Sequence, residues 1–251
     1  MVFPLYDDNS DRTITPIVNY VLIGINILVF VFLQQLGSND KFTYAFSTVP
    51  QEIVSGRDVR TPDRVVENPD TGQELLIPGL QATPFSVYLT LIFSMFMHGG
   101  LAHIGGNMLF LWIFGDNVED RMGHLRYLVF YLVTGVIASL AHVIATVMFA
   151  TDQASLLIPS LGASGAISGV LGGYILLYPK RRVTVILFRF LTEVPAYVAI
   201  GIWFAFQLIS GLLDSRSQQG GVAYAAHIGG FVAGLALIKV FTVGKNQNAV
   251  A

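Results

Sequence analysis

The sequence predicts an all-α, polytopic membrane protein: six transmembrane helices with a long first loop and a short central fourth helix. Three observations carry this reading. Hydrophobic residues make up 53% of the 251-residue chain and charged residues only 12%, about half the share of an ordinary soluble domain. The charges cluster, leaving six apolar stretches, each near the roughly 20 residues needed to cross a bilayer. Lys and Arg are distributed unequally between the short loops on the two sides.

The first span, 15–36, follows a segment carrying Asp7, Asp8 and Asp11 against Arg12 alone. A secretory leader has a basic flank and a shorter apolar run, so this is read as a retained helix after a short tail of residues 1–14. The first loop, 37–100, holds seven acids (Asp40, Glu52, Asp58, Asp63, Glu67, Asp70, Glu74) and four bases (Lys41, Arg57, Arg60, Arg64). Its apolar end, Phe85 to Met97, suits the membrane interface. The remaining spans fall at 101–118, 125–149, 162–178, 193–213 and 223–242, before a tail of residues 243–251. One six-helix domain, 15–242, therefore accounts for the chain.

Basic residues orient the spans. Arg121, Arg126, Lys180, Arg181, Arg182, Arg189, Lys239 and Lys245 lie on one side, and Arg216 alone lies in the short loops of the other. Both termini are thus expected to be cytoplasmic. Helices two, four and six then start on the outer side and run inward in parallel. From Ser164 to Tyr178 is about 21 Å of helix against a core of roughly 30 Å. The fourth helix is too short to reach the outer surface, so a wet pocket should open above Ser164.

Candidate chemistry collects at this depth. Gly162-Ala163-Ser164-Gly165 opens the fourth helix and Ala226-His227-Ile228-Gly229-Gly230 opens the sixth. Imidazole is the usual base for a serine hydroxyl near neutral pH. His103 and Asn107 are four residues apart, share a helix face, and can both donate hydrogen bonds to an oxyanion. Blander readings apply to each feature alone. Gly165-x-x-x-Gly169 and Gly230-x-x-x-Gly234 are common helix-packing patterns, Ser164 could bond its own backbone, and His227 could be structural. The combination at matched depth favours a Ser–His dyad. No Asp or Glu lies in a span near His227, so an acid-oriented triad is not expected. His124 reads as solvated, His142 as structural, and Glu119 with Arg121 as part of an ion-pair network. The chain has no cysteine, and its net charge of −2 gives no reason to expect nucleic acid as a partner. No metal or other cofactor is expected.

These residues resemble the rhomboid family of intramembrane serine proteases. The matching motifs are His98-x4-His103-x3-Asn107, Gly162-Ala163-Ser164-Gly165, Ala226-His227-Ile228-Gly229-Gly230-x3-Gly234, and the junction Phe114-Gly115-Asp116-Asn117-Val118-Glu119-Asp120-Arg121-Met122-Gly123. The resemblance implies Ser164 as nucleophile and His227 as general base. His103, Asn107 and the backbone at Ala163–Ser164 would bind the oxyanion, with His98, Gly162, Gly165, Ser168, Gly230 and Gly234 in support. It further implies transmembrane protein substrates, entering laterally from the lipid past helices two and five. Two departures stand out: the first loop lacks the Trp-Arg pair of many relatives, and Ser168 occupies a position where some carry tyrosine. Ser168 is therefore expected to brace His227 through a polar or water-mediated contact.

Other classes predict other features. A non-catalytic relative would lack Ser164 or His227. A transporter would show charged coupling residues mid-membrane or repeated halves. A zinc protease built on His98, His103 and His227 would need a carboxylate base and His-Glu-x-x-His. The minimal six-helix form points to a prokaryotic cytoplasmic membrane. Oligomeric state, substrate identity and cleavage site are left open.

Overall fold

The computed structural model describes residues 2–67, 74–150, 152–187, 189–217 and 224–244. Asp70 of the first loop, the start of the span expected at 223, and the tail beyond Gly244, with Lys245, lie outside them. Helix α1 (Ile17–Leu28) continues as a π-helical turn, Val29–Leu33. The bundle is completed by α5 (Leu101–Met122), α6 (His124–Phe149), α7 (Ser164–Leu177), α8 (Ala196–Ser217) and α9 (Tyr224–Thr242). Each coincides with an expected span to within a few residues. By length and composition, α6 and α9 can each cross a membrane alone. The helical run Val87–Phe96 and α5 pass the same test together, bent by 81°.

The first loop is built rather than slack. It carries α2 (Asp40–Phe46), α3 (Pro50–Ser55), the hairpin β2 (Arg64–Glu67) and β3 (Glu74–Ile77), and α4 (Thr90–Phe93) between 3-10 turns. Thr48 exchanges two backbone hydrogen bonds with Ser160, at 2.9 and 2.8 Å. The loop thereby grips the segment leading into α7. Phe85 to Met97, expected along an interface, coils into these short helical turns beside α6.

The helical membrane bundle is as expected, and a sheet is added to it. Strand β1 (Val2–Asp7) pairs antiparallel with β4 (Arg182–Leu187), which pairs with β5 (Phe190–Pro195). Residues 1–14, expected as a plain tail, therefore supply a strand, and the basic connection after α7 is a hairpin. Arg189 turns it with φ +81°. Val183 and Val185 point inward and are fully buried, while Arg182 and Ile186 are exposed. Pro4 of β1 meets Phe110 and Phe114 of α5 and Ala199, Ile200 and Trp203 of α8 around one cleft. The strand thus fills space between those helices at the end of the bundle remote from Ser164.

That remote end is tied by polar side chains. A helix start leaves backbone N–H groups without partners, and α5 supplies them to α1. Glu119 accepts from Val18 N and Asn19 N at 2.9 and 2.7 Å, and Asp120 accepts from Thr13 N and Ile14 N at 2.8 and 2.7 Å. The carboxylates also complement the positive end of the α1 dipole. His124 is not simply solvated, since its Nδ1 lies 2.5 Å from Glu119 Oε1. Asp116 pairs with Arg12 at 2.7 Å. Asn117 donates to Asp7 and Asn9, and Tyr174 donates to Asp7 at 2.6 Å. Arg181 bonds Asn117 and Asp11 and lies over the Tyr178 ring.

At the centre, α7 is buried along nearly its whole length. Its contact with α9 is backbone to backbone. A Cβ at Gly230 would sit 2.1 Å from Gly165 O, one at Gly234 2.0 Å from Gly169 O, and one at Gly172 2.2 Å from Phe231 O. Only glycine permits that approach.

Candidate active site

Ser164 begins α7, following Gly162 with φ +122° and Ala163. Gly162 N donates to Ser94 O at 2.8 Å, and the Thr48 hydroxyl lies within hydrogen-bond distance of Thr90 O and Ser94 Oγ, at 3.0 and 2.9 Å. The approach to the serine is thus held from both sides by the first loop. A narrow cleft of about 20 Å³ opens there, lined by Ser139, Ser160, Gly162 and Ser164 among others.

The glycine-keyed packing of α7 on α9 sets the distance that matters most. His227 Nε2 lies 2.7 Å from Ser164 Oγ, a normal hydrogen bond. On its other side, His227 Nδ1 lies 2.7 Å from Gln207 Oε1 of α8. The Trp203 and Tyr224 rings flank the imidazole with centroids at 6.2 and 6.5 Å. Ser168 makes no direct hydrogen bond to the ring among the described residues. Its hydroxyl donates to Ser164 O at 2.6 Å, the back-bonding that a serine one turn along a helix readily makes. The position expected to carry the brace therefore serves its own helix, and Gln207 from a different helix bonds the ring.

His103 projects from the first turn of α5 toward Ser164, and Asn107 follows one turn on, on the same helix face. Gly99 N donates to His103 Nδ1 at 3.2 Å, so a neutral imidazole keeps its proton on Nε2. A Cβ added at Gly162 would meet His103 Nε2 at 2.9 Å while lying 3.7 Å from Ser164 Oγ. The ring and the hydroxyl thus stand on either side of one glycine. Asn107 is 8% exposed and its Nδ2 is a buried donor without a partner among the described residues. Such an orphan costs about 1–3 kcal/mol. His98 is fully buried with both ring nitrogens unpartnered, edge-on to His103 at 5.1 Å. Its backbone is clamped by Gln34, which accepts from His98 N and donates to His98 O, both at 2.9 Å.

Sequence reasoning missed Gln34, Gln207 and Trp203. The signal for the first two was a carboxamide in an apolar helix, which needs a partner as a buried charge does.

The architecture and this cluster define a class: a multi-pass helical membrane protein carrying a hydrogen-bonded serine and histidine on adjacent, glycine-packed helices. Its family follows from comparison with known proteins. Residues 86–243 match the rhomboid domain, and the chain belongs to the rhomboid family. It is 28% identical to Rhomboid protein 1, mitochondrial, of Saccharomyces cerevisiae over 220 residues, covering 86% of this chain and 51% of that protein. It is 33% identical to the rhomboid protease GluP of Bacillus subtilis over 147 residues, 59% of this chain and 25% of that protein. Identity to the human presenilin-associated rhomboid-like protein, mitochondrial, is 30% over 165 residues, 65% and 41% of the two chains. The chain thus spans about half, or less, of the length of these relatives.

Proposed function

We propose that this protein is an intramembrane serine endopeptidase acting on transmembrane protein substrates. The observation that carries the reading is the 2.7 Å contact between Ser164 Oγ and His227 Nε2. Its support is the His103 ring beside Gly162 and the unpartnered Asn107 Nδ2 one turn further along the same helix face. Ser164 is the nucleophile. His227 takes its proton as Oγ bonds the scissile carbonyl carbon, then returns it to the leaving amine. The carbonyl oxygen becomes an oxyanion, which accepts from Asn107 Nδ2–H, His103 Nε2–H and the backbone N–H at Ser164, with Ala163 shaping that turn. A water repeats the sequence on the acyl-enzyme. Gly162 lets His103 approach, Gly165, Gly230 and Gly234 hold the dyad together, and His98 shores up the His103 ring.

The Lys and Arg distribution sets the orientation: the sheet end faces the cytoplasm and the pocket faces the opposite side. Substrate helices and lipids are the partners in this reading. An unwound strand is required, since a helical peptide spends its carbonyls on its own hydrogen bonds.

The test is cleavage of a transmembrane substrate in proteoliposomes, alongside labelling by a fluorophosphonate. Wild type should cleave and label, while Ser164→Ala and His227→Ala should lose both yet keep their unfolding midpoint. Cleavage persisting in folded Ser164→Ala would sink the proposal.

A further inference from the structure

Gln207 stands out along α8. Ala205, Phe206, Leu208 and Ile209 beside it are exposed, as lipid-facing residues are, yet Gln207 is 6% exposed. A buried carboxamide on an apolar helix is costly unless it bonds, and its Oε1 meets His227 Nδ1 at 2.7 Å. Among the described residues no carboxylate bonds this imidazole, and Ser168 has committed its hydroxyl elsewhere.

We propose that Gln207 is the positioning residue for His227, selecting the tautomer that makes it a base. This rests on the reading of Ser164 and His227 given above. A carbonyl oxygen only accepts, so opposite Gln207 Oε1 the proton sits on Nδ1. In a neutral imidazole that leaves a lone pair on Nε2, directed at the Ser164 hydroxyl. Were the amide reversed, its NH2 would drive the proton onto Nε2, and Ser164 Oγ would have to accept rather than donate. Gln207 thus does for the ring's orientation what a carboxylate does in a triad, but with a dipole in place of a charge. A charge at this depth would face the full desolvation penalty. Trp203 lies one helical turn before Gln207 on the same face, closing the imidazole from that side. The arrangement also ties α8 to the reacting pair: displacing α8 from α9 removes the acceptor that holds the base in its working form.

The experiment uses the full chain in nanodiscs with Gln207→Leu, Gln207→Glu and wild type. Three readouts separate positioning from mere packing: the His227 ring 15N shifts, the rate of fluorophosphonate labelling at Ser164, and kcat against KM. Gln207→Leu should lose the Nδ1–H tautomer bias and slow labelling and kcat on the order of 10²-fold, the low end for a positioned acid–base group. KM should stay within about twofold, because no substrate contact is removed. Gln207→Glu in its neutral form keeps a carbonyl acceptor without burying a charge, and should retain the tautomer and most of the labelling rate. If the leucine variant does not insert, Gln207→Ala replaces it with the same expectation. An unchanged tautomer and labelling rate in a folded Gln207→Leu protein overturns the proposal. Should wild type hold the Nδ1–H tautomer, lost in Gln207→Leu, yet neither label nor cleave, the serine-protease reading falls while the positioning role stands.

Discussion

Helix α5 carries buried polar residues at both ends and treats them in opposite ways. Toward its C-terminus, Asp116, Asn117, Glu119 and Asp120 are bonded to Arg12, Asp7, and the backbone leading into and opening α1. Toward its N-terminus, Asn107 Nδ2 and, three residues before the helix begins, both ring nitrogens of His98 are buried with no partner among the described residues. The bonded end, where only Asp7 Oδ1 of β1 is left buried without a partner among the described residues, ties β1, α1 and α7 to one another. The open end holds donors in place without spending them, the condition a site needs if those donors are to meet charge that forms only during reaction. Bonded and unbonded polar groups are thus separated along a single helix, and the comparison can be broken or sharpened by substitution.

The largest effect is expected between the two ends, where α7 meets α9. Gly230→Ala drives a methyl toward Gly165 O at 2.1 Å. Because the obstacle is backbone, the cost should be at least ~3 kcal/mol, the upper range for overpacking. Thermal unfolding and fluorophosphonate labelling should both collapse. Next comes a matched pair on α5. Asn107→Ala should lower kcat by about 10²–10³-fold, as for loss of one oxyanion donor, with no fall in unfolding midpoint because it deletes an orphaned amide. Asn117→Ala should do the reverse, costing ~1–3 kcal/mol while the folded fraction labels at the wild-type rate. If both lose stability equally, the division between the ends is wrong.

A smaller, pH-dependent effect belongs to Asp7. Burial pushes its carboxyl from the ordinary 3.8 up to about 7, against the opposing Tyr174 hydrogen bond. Below pH 4 the folded and unfolded chains both hold the proton. Between pH 4 and 7 the unfolded chain releases it first, so stability falls as pH rises, by at most ~4 kcal/mol, and then levels off. Asp7→Asn should flatten that slope in unfolding midpoints measured from pH 4 to 8. Smallest of all is Ser168→Ala. With its hydroxyl bonded to its own helix, the change should be under ~1 kcal/mol and leave cleavage unaltered. A tenfold loss of kcat would return Ser168 to the site.

The spans were legible because length and apolar character are local properties that the bilayer demands, and their expected limits agree with the helices. Ser164, His227, His103 and Asn107 could be picked out because polar groups are conspicuous in apolar helices. The meeting of Ser164 with His227 was inferable only from parallel helices of matched depth. The sheet was not legible. Val183-Thr184-Val185-Ile186 has the β-branched composition of a strand, but β1 lies some 180 residues away, and no local pattern announces a partner at that distance. Gln207 was missed for a related reason. Its burial depends on which way α8 is rotated, and an apolar helix with lipid on several sides has too weak a polar face to reveal that.

The glycine contacts between α7 and α9 have a mechanical consequence. Sliding one helix by a single residue, a 1.5 Å step, would bring a side chain against backbone where now a bare Cα passes, so the pair is keyed against axial slip. Two atoms separated by 63 residues of chain therefore behave as parts of one rigid body. The intervening hairpin and α8 can vary in sequence, or move, without changing the register of serine and histidine. Drift in that connecting stretch is expressed in how the far side of the His227 ring is held, while the contact between Ser164 and His227 keeps its length.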